Sequence, residues 1–247
     1  MDSTANDVLD FWFGAPGSPE RGTARAVWFR KDPAFDAQIR ARFADAVAIA
    51  LAGGYGEWCA TAHGALARVI VLDQFTRNIF RDTARAFAGD ARALATAEDA
   101  LARGLDRELA VYERWFLYMP FEHAESVDAQ HRSLALFGAL AQEMGDDDSL
   151  VWARKHAEIV LRFGRYPHRN AVLGRASTPA EIAHLDRPDL WELQQSAHHA
   201  TFEYKLKAVA FFVRTGIYML ASGDGDALGS FAAACFRRPR AALTAGG

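Results

Sequence analysis

The stretch "DPAFDAQIRARFADAVAIALAGG", residues 32 to 54, has the pattern that decides the fold. Its large apolar residues recur at every fourth position: Phe35, Ile39, Phe43 and Val47. That period places them on one face of an α-helix. Asp32 before Pro33 predicts where the helix starts, and Gly53 predicts where it stops. The stretch is therefore predicted to be a helix whose apolar face packs into the core.

The rest of the chain repeats this helical period. The predicted helices cover about 58–72, 90–104, 111–119, 127–144 and 150–163, and a long helical region covers about 189–221. Thr178 and Glu181 form a capping box that starts one more helix. Pro120 is predicted to end the 111–119 helix. No stretch alternates with period two for long enough to be a strand, so the predicted fold class is all-α.

Composition limits the classes of function. The chain has 247 residues, is 51% hydrophobic and carries a net charge of −3, which argues against coating nucleic acid or an anionic membrane. The N-terminus has no basic region before its apolar residues, and the apolar stretch 206–222 contains Arg214. Cys59 and Cys235 match neither a disulfide framework nor a zinc pattern. We therefore expect a soluble, cytoplasmic protein without nucleic-acid or membrane partners.

Two segments resemble each other. "IVLDQFTRNIFR" (70–81) and "IVLRFGRYPHRNAVLGR" (159–175) both run from an apolar helix end through Phe to an Arg-Asn pair and a further Arg. A duplicated helix–turn–helix unit would give this pattern. Stacked helical hairpins, as in an α–α superhelix, are the architecture that tolerates such a duplication.

Six motifs carry a family resemblance: "VLDFWFG" (8–14), "WFRKDPAFDAQI" (28–39), "LDQFTRNIFR" (72–81), "FLYMPFEHAE" (116–125), "RFGRYPHRN" (162–170) and "LGRASTPAE" (173–181). In this order and spacing they resemble the bacterial DUF924 family. The resemblance implies a tetratricopeptide-like stack of helices, but no established reaction. The chain departs from the family pattern at Thr76 (usually proline), Asp82 (glycine), Ala124 (serine) and Tyr166 (phenylalanine). We expect a family domain over 1–185 and a helical C-terminal extension over 186–247, packed on the same domain.

Three polar clusters within these motifs are the candidate site residues. The first contains Asp73, Gln74, Arg77, Asn78 and Arg81. The second contains Glu122, His123, Glu125 and Gln130. The third contains His156, Arg162, Arg165, His168, Arg169, Asn170 and Arg175. Asp73 and Arg77 are spaced to pair on one helix face, and His168 lies beside arginines whose charge would suppress its protonation.

The clusters allow three interpretations. In the first, free arginines bind a small anionic ligand or an acidic peptide end, because a guanidinium suits a carboxylate or phosphate. In the second, His123 with Glu122 or Glu125 is the acid–base pair of a hydrolase-like enzyme. In the third, Glu122 and Glu125 neutralise Arg77, Arg165 or Arg169 in a structural network, and the chain is a protein interaction module.

Other chemistries lack their motifs. Ser126 and Ser177 lie in no nucleophile elbow, and the chain has neither a Walker loop nor GxGxxG. "EHAE" is not HExxH, and "EIAH" (181–184) has no partner for a di-iron site. We therefore predict neither a metal nor a cofactor. The sequence gives no prediction of the oligomeric state.

Overall fold

A computed structural model describes residues 4–186 of the chain. These residues belong to one compact unit, Met1–Pro188. The predicted 189–221 helical region, Cys235 and nearly all of the predicted extension lie outside the described residues. Within residues 4–186 the structure has helices, turns and loops and no strand, so the predicted all-α class is confirmed.

Loops, 3₁₀ turns and a π-helical segment join the α-helices. Their bounds are α1 Ala5–Phe13, α2 Pro33–Leu51, α3 Ala62–Val69, α4 Thr76–Ile79, α5 Asp90–Ala102, α6 Val111–His123, α7 Val127–Met144, α8 Asp148–Phe163 and α9 Pro179–Leu185. A π-helical segment, Ile70–Phe75, joins α3 to α4 without a break. The 3₁₀ turns are Ala26–Trp28, Gly56–Ala60, Ala84–Phe87, Leu105–Glu108 and Pro167–Arg169.

The predicted caps are present where helices begin. The Asp32 carboxylate accepts hydrogen bonds from the backbone N–H groups of Ala34 and Phe35 at the start of α2. Thr178 and Glu181 make both bonds of the capping box at α9. These side chains satisfy amides that have no partner inside the helix, which fixes each helix start.

An aromatic cluster forms the centre of the core. Trp12 and Phe13 of α1 are buried, and their rings lie 5.4 and 5.6 Å from the ring of Phe116 in α6. Trp28 packs 4.8 Å from Phe116 and donates its indole N–H to the Trp12 carbonyl. The aromatic residues of α1 and α6 are therefore core residues, and their ring contacts fix α1 against α6.

The prediction that Pro120 ends a helix is wrong, because α6 continues through it to His123. Proline removes one internal hydrogen bond, a cost that tertiary contacts can offset. The last turn of α6 is buried, and the side-chain amide of Gln130 donates to the carbonyls of Glu122 and Ala124 at 2.9 and 2.8 Å. This support from α7 places His123 on a helix rather than on a turn.

Helices α6, α7 and α8 follow one another closely, and α7 packs against both neighbours. The π segment packs against α2, and α3 packs against α5.

The two segments that resemble each other in sequence differ in conformation. Residues 70–81 are helical as far as Ile79, whereas 159–175 break at Gly164 (φ 72°) and resume in a 3₁₀ turn. In the part of the chain that the structure describes, no helix is long and apolar enough to span a membrane.

Candidate functional site

Asp73 lies fully buried in the π segment and is the centre of the polar site. Its carboxylate is 2.8 Å from Nδ1 of His123 and 3.0 Å from Nη1 of Arg77, and it accepts from the side-chain amide of Gln74 at 2.6 Å. Burial raises the pKa of Asp73, but Arg77 and the hydrogen bonds outweigh burial and hold the pKa well below its usual range. Asp73 is therefore a buried anion beside a histidine.

Asp90, the first residue of α5, joins two arginines from different parts of the chain. Its two oxygens lie 2.9 and 3.1 Å from the Arg77 guanidinium, and one is 3.3 Å from Nη1 of Arg169. Gly89 lets α5 approach this closely, because a Cβ there would stand 2.0 Å from the Leu72 carbonyl oxygen of the π segment. The arginines of both Arg-Asn pairs, Arg77 and Arg169, thus meet at one carboxylate.

A second carboxylate–histidine pair lies between α6 and α8. Oε1 of Glu122 is 2.8 Å from Nδ1 of His156, and the Trp152 carbonyl is 3.0 Å from the same nitrogen. Glu122 is only 3% exposed, so its charge acts on His156 with little screening by water. The ring of His156 is 6.2 Å from that of His123.

Tyr166 completes a closed series of contacts. Its ring is 5.7 Å from the ring of His156 and 4.4 Å from the guanidinium carbon of Arg169. Its hydroxyl donates to the Glu122 carbonyl. We name the closed series the buried polar ring; its members are Asp73, Arg77, Asp90, Arg169, Tyr166, His156 and His123.

The two histidines of the buried polar ring differ in protonation. Burial and the charge of Arg77 lower the pKa of His123, against the opposing pull of Asp73. Burial also lowers the pKa of His156, but Glu122 outweighs burial and raises it overall. At neutral pH His123 is therefore the neutral base of the pair, and the environment of His156 favours the imidazolium. Such divergent environments separate the acid from the base in many active sites.

Nε2 of His123 and Nε of Arg169 are among the ring atoms without a hydrogen-bond partner in residues 4–186. Nδ1 of His123 is bound to Asp73, and its Nε2 makes no hydrogen bond. Nε of Arg169 also has no partner and is buried, and only 6% of the Arg169 surface is exposed. A buried N–H without a hydrogen-bond partner costs about 1–3 kcal/mol of stability.

The remaining predicted residues bind partners outside the ring. Asn78 and Arg81 bind Asp36 of α2, and Arg165 binds Glu181 of α9. These contacts join the motif segments to neighbouring helices.

The last predicted residues join the 3₁₀ turn to the end of α6. Arg175 binds Glu125 at 2.9 Å, and its Nε donates to Asn170. Gln130 caps α6 as described above. His168 is exposed, and desolvation of its inner edge together with Arg169 lowers its pKa, a shift that solvent moderates.

The predicted partners need correction at two points. Arg77 and Arg169 are neutralised by Asp90, and Arg165 by Glu181, rather than by Glu122 or Glu125. The carboxylate of His123 is Asp73, whereas Glu122 holds His156. The acids that sequence reasoning missed, Asp90 and Asp36, each lie in the first turn of a helix. An acid in the first turn is usually explained by its favourable interaction with the helix dipole, so its position did not indicate a partner far away in the sequence.

The fold and the site define an all-α protein with a buried carboxylate–histidine–arginine cluster. Among the described residues no group of three or more His, Cys, Asp or Glu side chains could hold a metal ion. The model of DUF924, a family of bacterial proteins of unknown function, matches residues 8–189. The chain belongs to the DUF924 family.

One solved structure adds to this result. A protein of unknown function from Agrobacterium tumefaciens is 40% identical, with a TM-score of 0.63, and the match covers 73% of this chain and 96% of that one. No curated protein matches the chain.

Proposed function

We propose that the chain is an acid–base enzyme of hydrolytic type in which His123 is the general base. The observation that carries the proposal is the 2.8 Å contact between Asp73 and Nδ1 of His123. An acid at Nδ1 holds the imidazole in one tautomer and leaves Nε2 to accept a proton. Asp73 lies in a π segment, a distortion that is frequent at functional sites.

Water is the nucleophile that these residues favour. Ser126 caps α7 through the Ala129 N–H, and the Ser177 hydroxyl accepts from Asn170, so both serines have structural bonds. In the proposed reaction Nε2 of His123 takes a proton from water while the water oxygen attacks an acyl or phosphoryl centre. The bond to the leaving group then breaks, and the leaving group takes a proton from the imidazolium.

Arg169 supplies the contact for negative charge on the substrate. Its Nε is the donor without a partner, and its guanidinium is held against Tyr166 and Phe87, 4.4 and 4.6 Å from their ring centres. A positioned donor of this kind stabilises charge that develops on an oxygen in the transition state. The proposed substrate is therefore a small ester or phosphate ester.

The experiment compares hydrolysis of 4-nitrophenyl acetate and 4-nitrophenyl phosphate by wild type, His123→Gln and Asp73→Asn. We expect His123→Gln to reduce kcat/KM on the accepted substrate at least about 100-fold, because a general base contributes about that much. Asp73→Asn should reduce it at least about tenfold if it folds. His131→Gln changes an exposed histidine and is the matched control.

A second measurement does not depend on the substrate. Diethyl pyrocarbonate acylates neutral imidazole nitrogen, so mass spectrometry should find His123 modified at pH 7 well before His156. Equal hydrolysis by His123→Gln and wild type, together with an unreactive His123, would contradict the proposal.

Ligand binding without catalysis is the second candidate, and the Nε of Arg169 favours it. The number of arginines in the motifs does not support ligand binding, because Arg77, Arg165 and Arg175 each contact a carboxylate of the protein itself. Inorganic phosphate at high excess should raise the melting temperature of wild type but not of Arg169→Met, since a ligand stabilises the folded state by mass action. An unchanged wild-type melting temperature counts against this candidate.

A third candidate function is that of a protein–protein interaction module, and we propose a cytoplasmic location for the chain. The close succession of α6, α7 and α8 supports a tetratricopeptide-like stack of hairpins. Such stacks present extended surfaces to protein partners. A pull-down with the purified chain and wild-type lysate tests this reading: a partner retained by the His123→Gln variant supports a role independent of the buried polar ring.

A further inference from the structure

A cleft of about 480 Å³ lies between α1, the start of α2 and the loop that joins them. Its lining comes from three sources: α1 gives Asp10 and Phe11, the loop gives Arg25, Val27 and Asp32, and α2 gives Ala34, Phe35, Gln38 and Arg42. None of these residues belongs to the buried polar ring. The cleft is large enough for a ligand of about ten non-hydrogen atoms.

The floor of the cleft is aromatic. The rings of Phe11 and Phe35 are stacked, with centroids 5.2 Å apart and planes within 9°. Phe35 is buried, whereas Phe11 is only partly buried and offers the edge of its ring to the cleft, since Phe35 and Arg42 both lie over that ring. A flat apolar group on a ligand could pack against this edge.

The two arginines of the cleft have no carboxylate partner among residues 4–186. The Arg42 guanidinium lies over Phe11 and Phe43, 4.7 and 5.1 Å from the ring centres, and makes no hydrogen bond or ion pair. Arg25 is half-buried and donates only to main-chain carbonyls at the end of α1, 2.8 Å in the case of Phe11. Both cations are therefore uncompensated by ion pairing.

The acids near the cleft are already engaged. Asp32 caps α2 and accepts from Arg30 at 3.1 Å, and Asp10 is 3.5 Å from Arg21. Asp7, which feels the charge of Arg42, is bound to the Thr4 cap of α1. Glu20, whose charge acts on Arg25, accepts hydrogen bonds from its own backbone and from Ser18. The acids are thus held by other groups, and within residues 4–186 the two arginines make no direct ion pair above the aromatic floor.

We propose that this cleft binds a small aromatic carboxylate, with the ring against the edge of Phe11 and the carboxylate on Arg42 and Arg25. Guanidinium binds carboxylate through paired N–H donors, and the stacked position of Arg42 holds its plane in place at little entropic cost. The site is distinct from the proposed catalytic ring, so it adds a ligand specificity that the hydrolytic proposal does not contain.

The test uses the full chain and three probes in an NMR titration. Phenylacetate has both ring and charge, acetate has only the charge, and 2-phenylethanol has only the ring. A ligand of this size should bind with a Kd of about 1 mM. We expect phenylacetate to shift the amide resonances of Phe11, Ala34 and Gln38, and to bind at least about tenfold more tightly than either other probe.

Arg42→Gln separates the cleft from general charge effects. We expect it to weaken phenylacetate binding about tenfold or more, because a charged hydrogen-bond donor is lost. Arg85→Gln is the matched control: Arg85 also lies over a ring, 3.9 Å from the centre of Phe80, but outside the cleft. Absent shifts at the three amides, or an equal loss in Arg42→Gln and Arg85→Gln, would overturn the proposal.

Discussion

His123 and His156 show how far neighbours decide the chemistry of one residue type. Both rings are largely buried, and each binds a carboxylate through Nδ1 at 2.8 Å. The Asp73 carboxylate is shared with Arg77, so much of its charge is already neutralised and it cannot prevent the lowered pKa of His123. Glu122 has no arginine in contact among residues 4–186, so it raises the pKa of His156. The contact of Arg77 with Asp73 therefore contributes to the difference in pKa between His123 and His156.

This difference predicts a pH-dependent stability effect at His156. Its folded-state pKa lies above the ordinary value, so the ion pair with Glu122 stabilises fully below about pH 6.5. The contribution is lost as the pH rises through the raised pKa. His156→Gln should therefore cost about 3 kcal/mol of unfolding free energy at pH 6 and distinctly less at pH 9. Urea denaturation at both pH values measures the difference.

The exposed variant His131→Gln is the control for this comparison and should change stability by the same small amount at both pH values. A His156→Gln cost that is equal at pH 6 and pH 9 would contradict the protonated state inferred for His156.

Sequence reasoning found the residue types of the site but not all of their partners. The spacing of Asp73 and Arg77 predicted their pairing, which the structure has at 3.0 Å. Contacts between residues far apart in the chain, such as Asp73 with His123, depend on helix packing and leave no local pattern. Asp82 is a case where structure explains a family preference: its φ is 61°, in the left-handed region that glycine adopts without strain.

At the scale of elements, the approach of α5 to the π segment builds the site. Gly89 packs directly on the Leu72 carbonyl, and this contact delivers Asp90 to Arg77. Gly138 in α7 is different, because a Cβ there would meet nothing within 4 Å. The two glycines should therefore respond to the same substitution in opposite ways.

We predict that Gly89→Ala destabilises the protein by about 3 kcal/mol, since the added methyl group forces α5 away from the π segment. Gly138→Ala should stabilise it by about 1 kcal/mol, because alanine favours the helix interior. Urea denaturation of both variants measures the two signs. A Gly89→Ala variant as stable as wild type would mean that this contact does not fix α5.

The helix pattern predicted the elements well because period and caps are local signals. The bounds of α2, α5, α7 and α8 differ from the predicted ones by a few residues at most. Two predictions failed, and only the first failed for a non-local reason. Pro120 stays helical because α7 supports the end of α6, and 70–81 and 159–175 differ because Gly164 turns only the second segment.

At the scale of the whole molecule, the ion pairs of the buried polar ring form between residues of the family region, 8–189. All seven members of the buried polar ring lie between residues 73 and 169, inside the unit Met1–Pro188. The Agrobacterium protein matches over 96% of its own length while covering only 73% of this chain, so a protein with this fold does without most of the remaining length. We therefore infer that the fold does not require residues 189–247.

A chain truncated after Pro188 should unfold cooperatively, with a melting temperature within about 4 °C of the full chain. Truncation after Ser177 is the matched control. It removes Glu181, which binds Arg165 at 2.6 Å, and should lower the melting temperature clearly. Calorimetry measures both. An unfolded 1–188 chain would show that residues 189–247 are part of the folding unit after all.

The π segment has one further consequence, which concerns chain length rather than residue type. Each residue of a helix turns the chain by a fixed angle, about 100° in an α-helix and less in a π-helix, so deleting any one position within Ile70–Phe75 would rotate the helix that follows. Arg77, Asn78 and Arg81 would then point away from Asp90 and Asp36, whatever their identities. We therefore expect a one-residue deletion in this segment to break these contacts even when Asp73 is retained.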